Sequence, residues 1–597
     1  MTTPLQPAAS RAALNWAPIG AALAAAGVQT VIATADIADA RPAFTDHQVH
    51  VIVPRHPEAA AALALAHARF SPDRVALLLT GDSGLSATWP QLVAAAVTRT
   101  PLLVLLPPPP AGPAPAQAWA AMLDELGLVM NLPDRGSSPG RTRTVIAEAA
   151  HAAETRLRPS VVHLAPPGPR RLAASPRSVA RYGDPGRGND EDNDHGDDAA
   201  DDGSTDDGES DYSDRRQDDE EPLSLPDAPT ADPDAIAALT HLLTQARRPV
   251  FIAGRGASDA AAAIEHLAEQ TGALLATTAA SYGLFTGNPW HIGIAGALST
   301  PDTAEMIRGA DIVIAVGCSL DAWTTRTGTL LGPGARLAQI DIRPEALGLH
   351  QVIHLGIAAD AAATVEALIQ ALQAGPPPRS GYRTTAVHAR IAAQVSWHDI
   401  GYQPLLEFDD RIDPRTLSLL LDSILPAERT LIVEEGSAMA YPLCYLRIPD
   451  ARSYLLAAPH LGLASGIGAA LARPGRLTVI ALDLDSYLSS AADLQTAADL
   501  QTAAQVDTPL LIVVYDDNTT PTRAGRAAPA DADVDPIQIA AGYGCAGAVV
   551  TRPPHLSTVT AWLAEPQPPL LLHARVTHGA WWLDALVSDP AVSEARP

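Results

Sequence analysis

Short apolar runs alternate with alanine-rich amphipathic stretches along this chain, and the alternation restarts twice. In the first set, residues 12–27 predict a helix, Val28–Ala33 and His50–Pro54 predict strands, and 58–69 predicts a long helix. Arg74–Thr80 then predicts a strand, a helix falls near 88–98, and Pro101–Leu106 predicts another strand. From about residue 232 the pattern begins again. Arg247–Ala257 predicts a strand feeding a glycine-rich turn, 258–271 a helix, and 273–277, 310–317 and 335–342 further strands. A third set starts near Asp413, with apolar segments at 430–436, 477–488, 509–518 and 569–576 and a small-residue helix at 462–472. Strands that are apolar throughout and separated by helices are buried on both faces, the signature of parallel sheets. The fold class expected is therefore α/β, with three doubly wound parallel-sheet domains at 1–180, 232–375 and 411–597. The segments 181–231 and 376–410 join them.

Length agrees with this division, since 597 residues exceed what one core can organise. The chain contains no lysine. That excludes a pyridoxal Schiff base and a phosphate-loop ammonium, two large enzyme classes. The net charge is −27, but Asp184–Glu221 alone holds 18 acidic residues against three arginines. Such a block repels itself and buries no apolar surface, so it reads as a solvated linker. An acidic chain disfavours nucleic acid and anionic membrane. Three widely spaced cysteines (Cys318, Cys444, Cys545) and the lack of a long uninterrupted apolar stretch suggest a soluble, cytoplasmic protein. The hexapeptide ADLQTA, repeated in tandem from Ala492, reads as a neutral slip in an alanine-rich sequence.

Several segments resemble one family in order and spacing. Arg55-His56-Pro57-Glu58 and the following helix are similar to an Arg-His-Glu segment, and Thr80–Leu105 to a Thr-Ser-Gly-Pro-Gly loop with its helix and strand. Residues 247–257, 292–306, 310–321 and 335–348 resemble the central domain of the same family, and 462–476 its Gly-Leu-Pro-Ala-Ala-Ile-Gly helix. The family is the thiamine-diphosphate-dependent enzymes of the acetolactate synthase and pyruvate decarboxylase type. The resemblance implies a pyrimidine-binding domain, a central domain and a diphosphate-binding domain. It implies a homodimer or homotetramer whose active sites lie between subunits, thiamine diphosphate held through Mg²⁺, and decarboxylation or carboligation of a small 2-oxo acid.

The coenzyme carries the hard chemistry, and the protein supplies a carboxylate, an apolar wedge and a metal clamp. The family's carboxylate follows Arg-His directly, where this chain has Pro57. Glu58 is one residue later, about 100° around a helix, and serves either the coenzyme or only the helix dipole. The wedge position falls on Pro459, beside His460, a candidate catalytic group or a structural histidine. The Gly-Asp-Gly-Ser clamp reads Asp483-Leu484-Asp485-Ser486, which puts Asp485 or Leu484 at the ligand position, and Asp517 with Thr519 supplies the other ligands. Oxygen ligands suit Mg²⁺, but the missing glycines put side chains where backbone should approach phosphate. The resemblance also raises FAD in the central domain. Gly254 and Gly256 would lie against its phosphates and Asp341 on a ribose, although the family's flavin-contacting His is absent from Gly293–Gly296. These departures leave a second reading open: a catalytically degenerate paralogue acting as a structural or regulatory partner.

Overall fold

The computed structural model describes residues 14–98, 100–107, 129–131, 139–156, 158–164, 229–379, 381–404, 410–491, 493, 508–517 and 535–577. Its strands form three six-stranded sheets, parallel at every assigned pairing. The first contains β1 (Val28–Ala33), β2 (His50–Ile52), β3 (Arg74–Leu78), β4 (Leu102–Leu106), β5 (Val129–Asn131) and β6 (Pro159–His163), in the order β2-β1-β3-β4-β6-β5. The second contains β7 (Pro249–Ala253), β8 (Leu274–Thr277), β9 (His291–Ile294), β10 (Ile312–Val316), β11 (Arg336–Asp341) and β12 (Leu355–Ala358), in the order β12-β11-β10-β7-β8-β9. The third contains β13 (Arg429–Glu434), β14 (Tyr454–Ala457), β15 (Leu477–Asp483), β16 (Leu510–Asp516), β17 (Ala546–Val550) and β18 (Leu570–Arg575), in the order β14-β13-β15-β16-β18-β17. The outer sheets thus share one topology, while the central one has the order of dinucleotide-binding folds.

The central strands are buried along their whole length because helices cover both faces. β7, β10 and β16 carry no exposed position. This is why their sequences are apolar throughout rather than alternating. The apolar run at 477–488 is not one element. Asp483 accepts a hydrogen bond from the Ser486 amide, caps a helix at Leu484–Ser490, and ends β15 there. Residues 258–271 likewise divide, into a 3₁₀ turn at Arg255–Ala260 and a helix at Ala261–Thr271.

The outer domains share a core. The Pro57–Phe70 helix lies against the Gly462–Ala472 helix, and Leu63, Ala64, Leu463 and Ile467 belong to one buried cluster with residues of β3 and β15. Small residues let the two backbones meet. A Cβ at Gly468 would stand 2.3 Å from the Leu63 carbonyl oxygen. A bulkier residue there would force the helices apart.

Candidate functional site

Parallel sheets take ligands at the carboxyl ends of strands where the strand order reverses. Each of the three sheets has such a point, and each is built differently.

In the central sheet the reversal lies between β7 and β10. A cavity of about 620 Å³ opens there, lined by Gly254–Gly256, Ser319, Asp341 and Arg343, with Glu435 and Pro459 entering from the C-terminal domain. Asp341 is buried and accepts hydrogen bonds from the Arg343 amide at 3.0 Å and its Nε at 3.4 Å. Gly254 and Gly256 line this cavity and also pack closely on the chain's own backbone. A Cβ at Gly254 would meet the Gly317 carbonyl oxygen at 2.1 Å, and one at Gly256 the Gly317 Cα at 2.9 Å. Both glycines therefore allow close backbone packing between the ends of β7 and β10. Burial pushes the Glu435 carboxyl up, and Arg255 draws it back toward its charged form.

In the N-terminal sheet the reversal, between β1 and β3, is closed by threonines. The Thr80 amide donates to Thr34 Oγ1 at 2.8 Å, and the two hydroxyls are 2.9 Å apart. A Cβ at Gly84 would meet Thr34 Oγ1 at 2.6 Å, so no room is left there.

In the C-terminal sheet the reversal, between β13 and β15, is filled by carboxylates. Glu434 ends β13 and is 2% exposed. Its Oε1 accepts from the His460 amide at 2.7 Å, and its Oε2 from the Gly462 amide at 2.8 Å. Burial pushes this carboxyl up, against hydrogen bonds from Ser486, His460 and Gly462, and nearby Asp483 pushes it further up. Asp483 ends β15. Its Oδ1 accepts from the Ser486 amide at 3.0 Å, and its Oδ2 from the Ser437 amide and hydroxyl, each at 3.1 Å. Two glycines permit this arrangement. A Cβ at Gly436 would stand 2.5 Å from Asp483 Oδ2, and one at Gly462 the same distance from Glu434 Oε2. His460 is held in the left-handed region at φ 63° while its amide bonds Glu434.

The residues singled out from sequence are distributed around these crevices. Asp485 is exposed on the first turn of the 484–490 helix, so the strand-end carboxylate that faces the crevice is Asp483 instead. The physical reason is the helix start itself, which turns Asp485 outward and uses Asp483 as its cap. Ser486 is buried between Asp483 and Glu434. Pro459 and His460 are exposed just before the 462–472 helix, and Pro459 lines the central cavity. Asp516, beside Asp517, is bonded to His573 Nε2 at 2.8 Å, and Asp517 is half-buried near Tyr441. Thr519 lies outside the described residues. Among the described residues, no group of three or more His, Cys, Asp or Glu side chains is placed to hold a metal ion. Glu58 is exposed on the first turn of its helix, in electrostatic reach of Asp493 in the C-terminal domain of the same chain. Sequence reasoning passed over Glu434. The available signal was a charged residue at the last position of an otherwise apolar strand, followed by Glu435 and Gly436.

These residues decide whether a diphosphate fits here. It would need free amide and hydroxyl donors at the ends of β13 and β15 and at the start of the 462–472 helix. Five such donor groups are already bonded to Glu434 and Asp483. An incoming diphosphate would also meet two acids, whose repulsion a bridging Mg²⁺ would have to offset. Among the described residues, these donors serve the chain's own acids.

Three family models match the chain in order: "Thiamine pyrophosphate enzyme, N-terminal TPP binding domain" at residues 19–127, the central domain at 236–368, and the C-terminal TPP binding domain at 444–574. Together they match more than half of the chain. The chain is 25% identical over 396 residues to "Probable acetolactate synthase 2, chloroplastic" of Oryza sativa, which spans 62% of this chain and 58% of that protein. It is 28% identical over 293 residues to "Probable 2-ketoarginine decarboxylase" of Pseudomonas aeruginosa, spanning 48% and 49%. The matches thus cover roughly half the length of these curated relatives. Among solved structures, the thiamine diphosphate-dependent 4-hydroxybenzoylformate decarboxylase of Rhodococcus jostii superposes with a TM-score of 0.63 at 18% identity, over 95% of this chain and 99% of that one. At that identity the likeness concerns the fold.

Proposed function

The chain belongs to the thiamine-pyrophosphate-dependent enzyme superfamily, and from that premise we propose that it is a diverged member that keeps the three-domain scaffold without the family's way of holding the coenzyme. On this reading it acts as a structural or regulatory partner, assembling as a homodimer or with a related chain. One observation carries the proposal: the backbone donors at the β13–β15 reversal are bonded to the protein's own Glu434 and Asp483. Two further features support it. By resemblance Pro57 takes the place of the family's coenzyme carboxylate, and Glu58 is exposed on the first turn of its helix. All three domains nonetheless match the family models.

A second reading is an enzyme that decarboxylates or ligates 2-oxo acids, like acetolactate synthase. The matching domains and the activities named for the relatives favour it. It would require Glu58 at the pyrimidine and Mg²⁺ on Asp485, Asp517 and Thr519, with His460 near the substrate. The central cavity, with Asp341 at its edge, would then take FAD or an adenine nucleotide. Three buried cysteines and the lack of a described helix able to cross a membrane support a cytoplasmic location under either reading.

Titration calorimetry of the purified chain with thiamine diphosphate and Mg²⁺ separates the two. The scaffold reading expects no heat and no thermal shift at millimolar coenzyme. Micromolar binding together with release of carbon dioxide from pyruvate would overturn it.

A further inference from the structure

A further cavity, of about 890 Å³, opens at the other end of the first sheet from its strand-order reversal. It is bounded by the end of the Ala17–Ala25 helix, the amino ends of β1 and β2, and the Arg41–Thr45 helix with the turn that follows it. Arg41, His47 and His50 line it, and Gln29, Gln48 and Thr45 add amide and hydroxyl groups. Among the described residues no acid lines this cavity, although the chain holds 67 acidic residues against 40 basic ones. Nor, among those residues, does a hydrogen bond or ion pair occupy the side chain of Arg41, His47 or His50. The wall is held in shape by its own backbone. The Phe44 carbonyl accepts from the amides of His47 at 3.1 Å and Val49 at 3.0 Å, and the Thr45 carbonyl from that of Gln48 at 3.0 Å. Phe44 is fully buried, with its ring edge-on to Trp16 at 5.8 Å. Gln48 sits in the left-handed region at φ 60°, which a non-glycine residue adopts only where its surroundings enforce it. The His47 ring rests near the first helix, 3.4 Å from where a Cβ at Gly20 would stand.

We propose that this cavity binds a small organic polyanion, a molecule carrying phosphate groups or clustered carboxylates, through Arg41, His47 and His50. The guanidinium of Arg41 offers a planar fork that matches phosphate or carboxylate oxygens two at a time. An imidazole donates an N–H in either of its charge states, so both histidines can add to the same anion. Basic groups gathered without a counter-acid raise the local positive potential, and a bound anion relieves it. The amides of Gln29 and Gln48 and the Thr45 hydroxyl suit the polar organic part of such a molecule. The volume falls within the range of pockets that enclose small ligands, about 300–1,000 Å³. The cavity lies at the amino ends of β1 and β2, whereas the strand-order reversals lie at carboxyl ends. The inference therefore stands or falls separately from the coenzyme question.

Titration calorimetry of the full chain at neutral pH and low ionic strength, without Mg²⁺, tests this with pyrophosphate and with citrate as probes. Saturable binding of one molecule per chain is expected. Binding of pyrophosphate alone identifies a phosphorylated ligand, binding of citrate alone a polycarboxylate, and either supports the site. Arg41→Gln should weaken binding about 10–100-fold, and His47→Gln and His50→Gln about 2–10-fold each. All three side chains are exposed, so the variants should unfold at the wild-type temperature. Absence of saturable binding of both probes at millimolar concentration overturns the proposal. So does binding that persists unchanged when all three residues are replaced together, because the anion would then sit elsewhere, such as the β13–β15 crevice.

Discussion

Replacing Glu434 with alanine tests whether the β13–β15 crevice is held together by its own acids. The carboxylate accepts two amide hydrogen bonds, from His460 and Gly462, at the start of the 462–472 helix. Hydrogen bonds to a charged group contribute about 1.5–3 kcal/mol each, so the gross loss is about 3–6 kcal/mol. Against this stands the cost of keeping the acid buried, visible in the upward push on its carboxyl. A net loss of about 2–4 kcal/mol is expected. His460 would also be released from its left-handed backbone conformation. The assay is native-state amide hydrogen exchange of the 462–472 helix, whose opening free energy should fall by that amount. The β7–β12 sheet should exchange unchanged. Glu434→Gln should be intermediate, because the amide retains one acceptor but presents a donor to the second N–H. If the helix keeps its protection to within about 1 kcal/mol in Glu434→Ala, the carboxylate does not organise this crevice.

Two further outcomes follow from packing and charge. Gly468→Val places a branched side chain against the Leu63 backbone, where even a Cβ would stand 2.3 Å from the carbonyl oxygen. It should destabilise the outer-domain contact by about 1–3 kcal/mol or more, seen as earlier urea unfolding of both outer domains together. Asp422 accepts from the Arg447 amide and Nε, His398 Nε2 and the buried Arg429 guanidinium. Burial pushes its carboxyl up, but the hydrogen bonds and charges of Arg447 and Arg429 together hold it below the usual carboxylate range. Its stabilisation is therefore present above the unfolded value and lost as pH falls through the lower folded value. Asp422→Ala should cost about 3–5 kcal/mol at neutral pH by stranding Arg429, and the acid-dependent loss assigned to Asp422 should vanish.

Much of the fold is legible in one dimension because burial on both faces leaves an unbroken apolar run. β7, β10, β11, β15 and β16 lie within segments readable as strands, and the 462–472 helix has the bounds its small residues suggest. Short or partly exposed strands such as β9, β14 and β17 were not distinguishable, since a few half-buried positions look like loop. The site was less legible. Asp485 and Asp483 differ by two places in sequence, but one faces solvent and the other caps a helix and bonds Ser437. The glycines at 254 and 256 were legible as a close backbone approach, but that the approach includes the backbone at Gly317 was not.

The sequence by itself determined three parallel layers, their order along the chain and the absence of lysine chemistry, because these depend on local periodicity and composition. Only the tertiary structure decided which acids meet which donors. Glu434 finds its amides 26 and 28 residues away, and Asp483 reaches back 46 residues to Ser437. Hydrogen bonding acts over about 3 Å, a distance that pattern along a chain cannot measure until folding has brought the strand ends together.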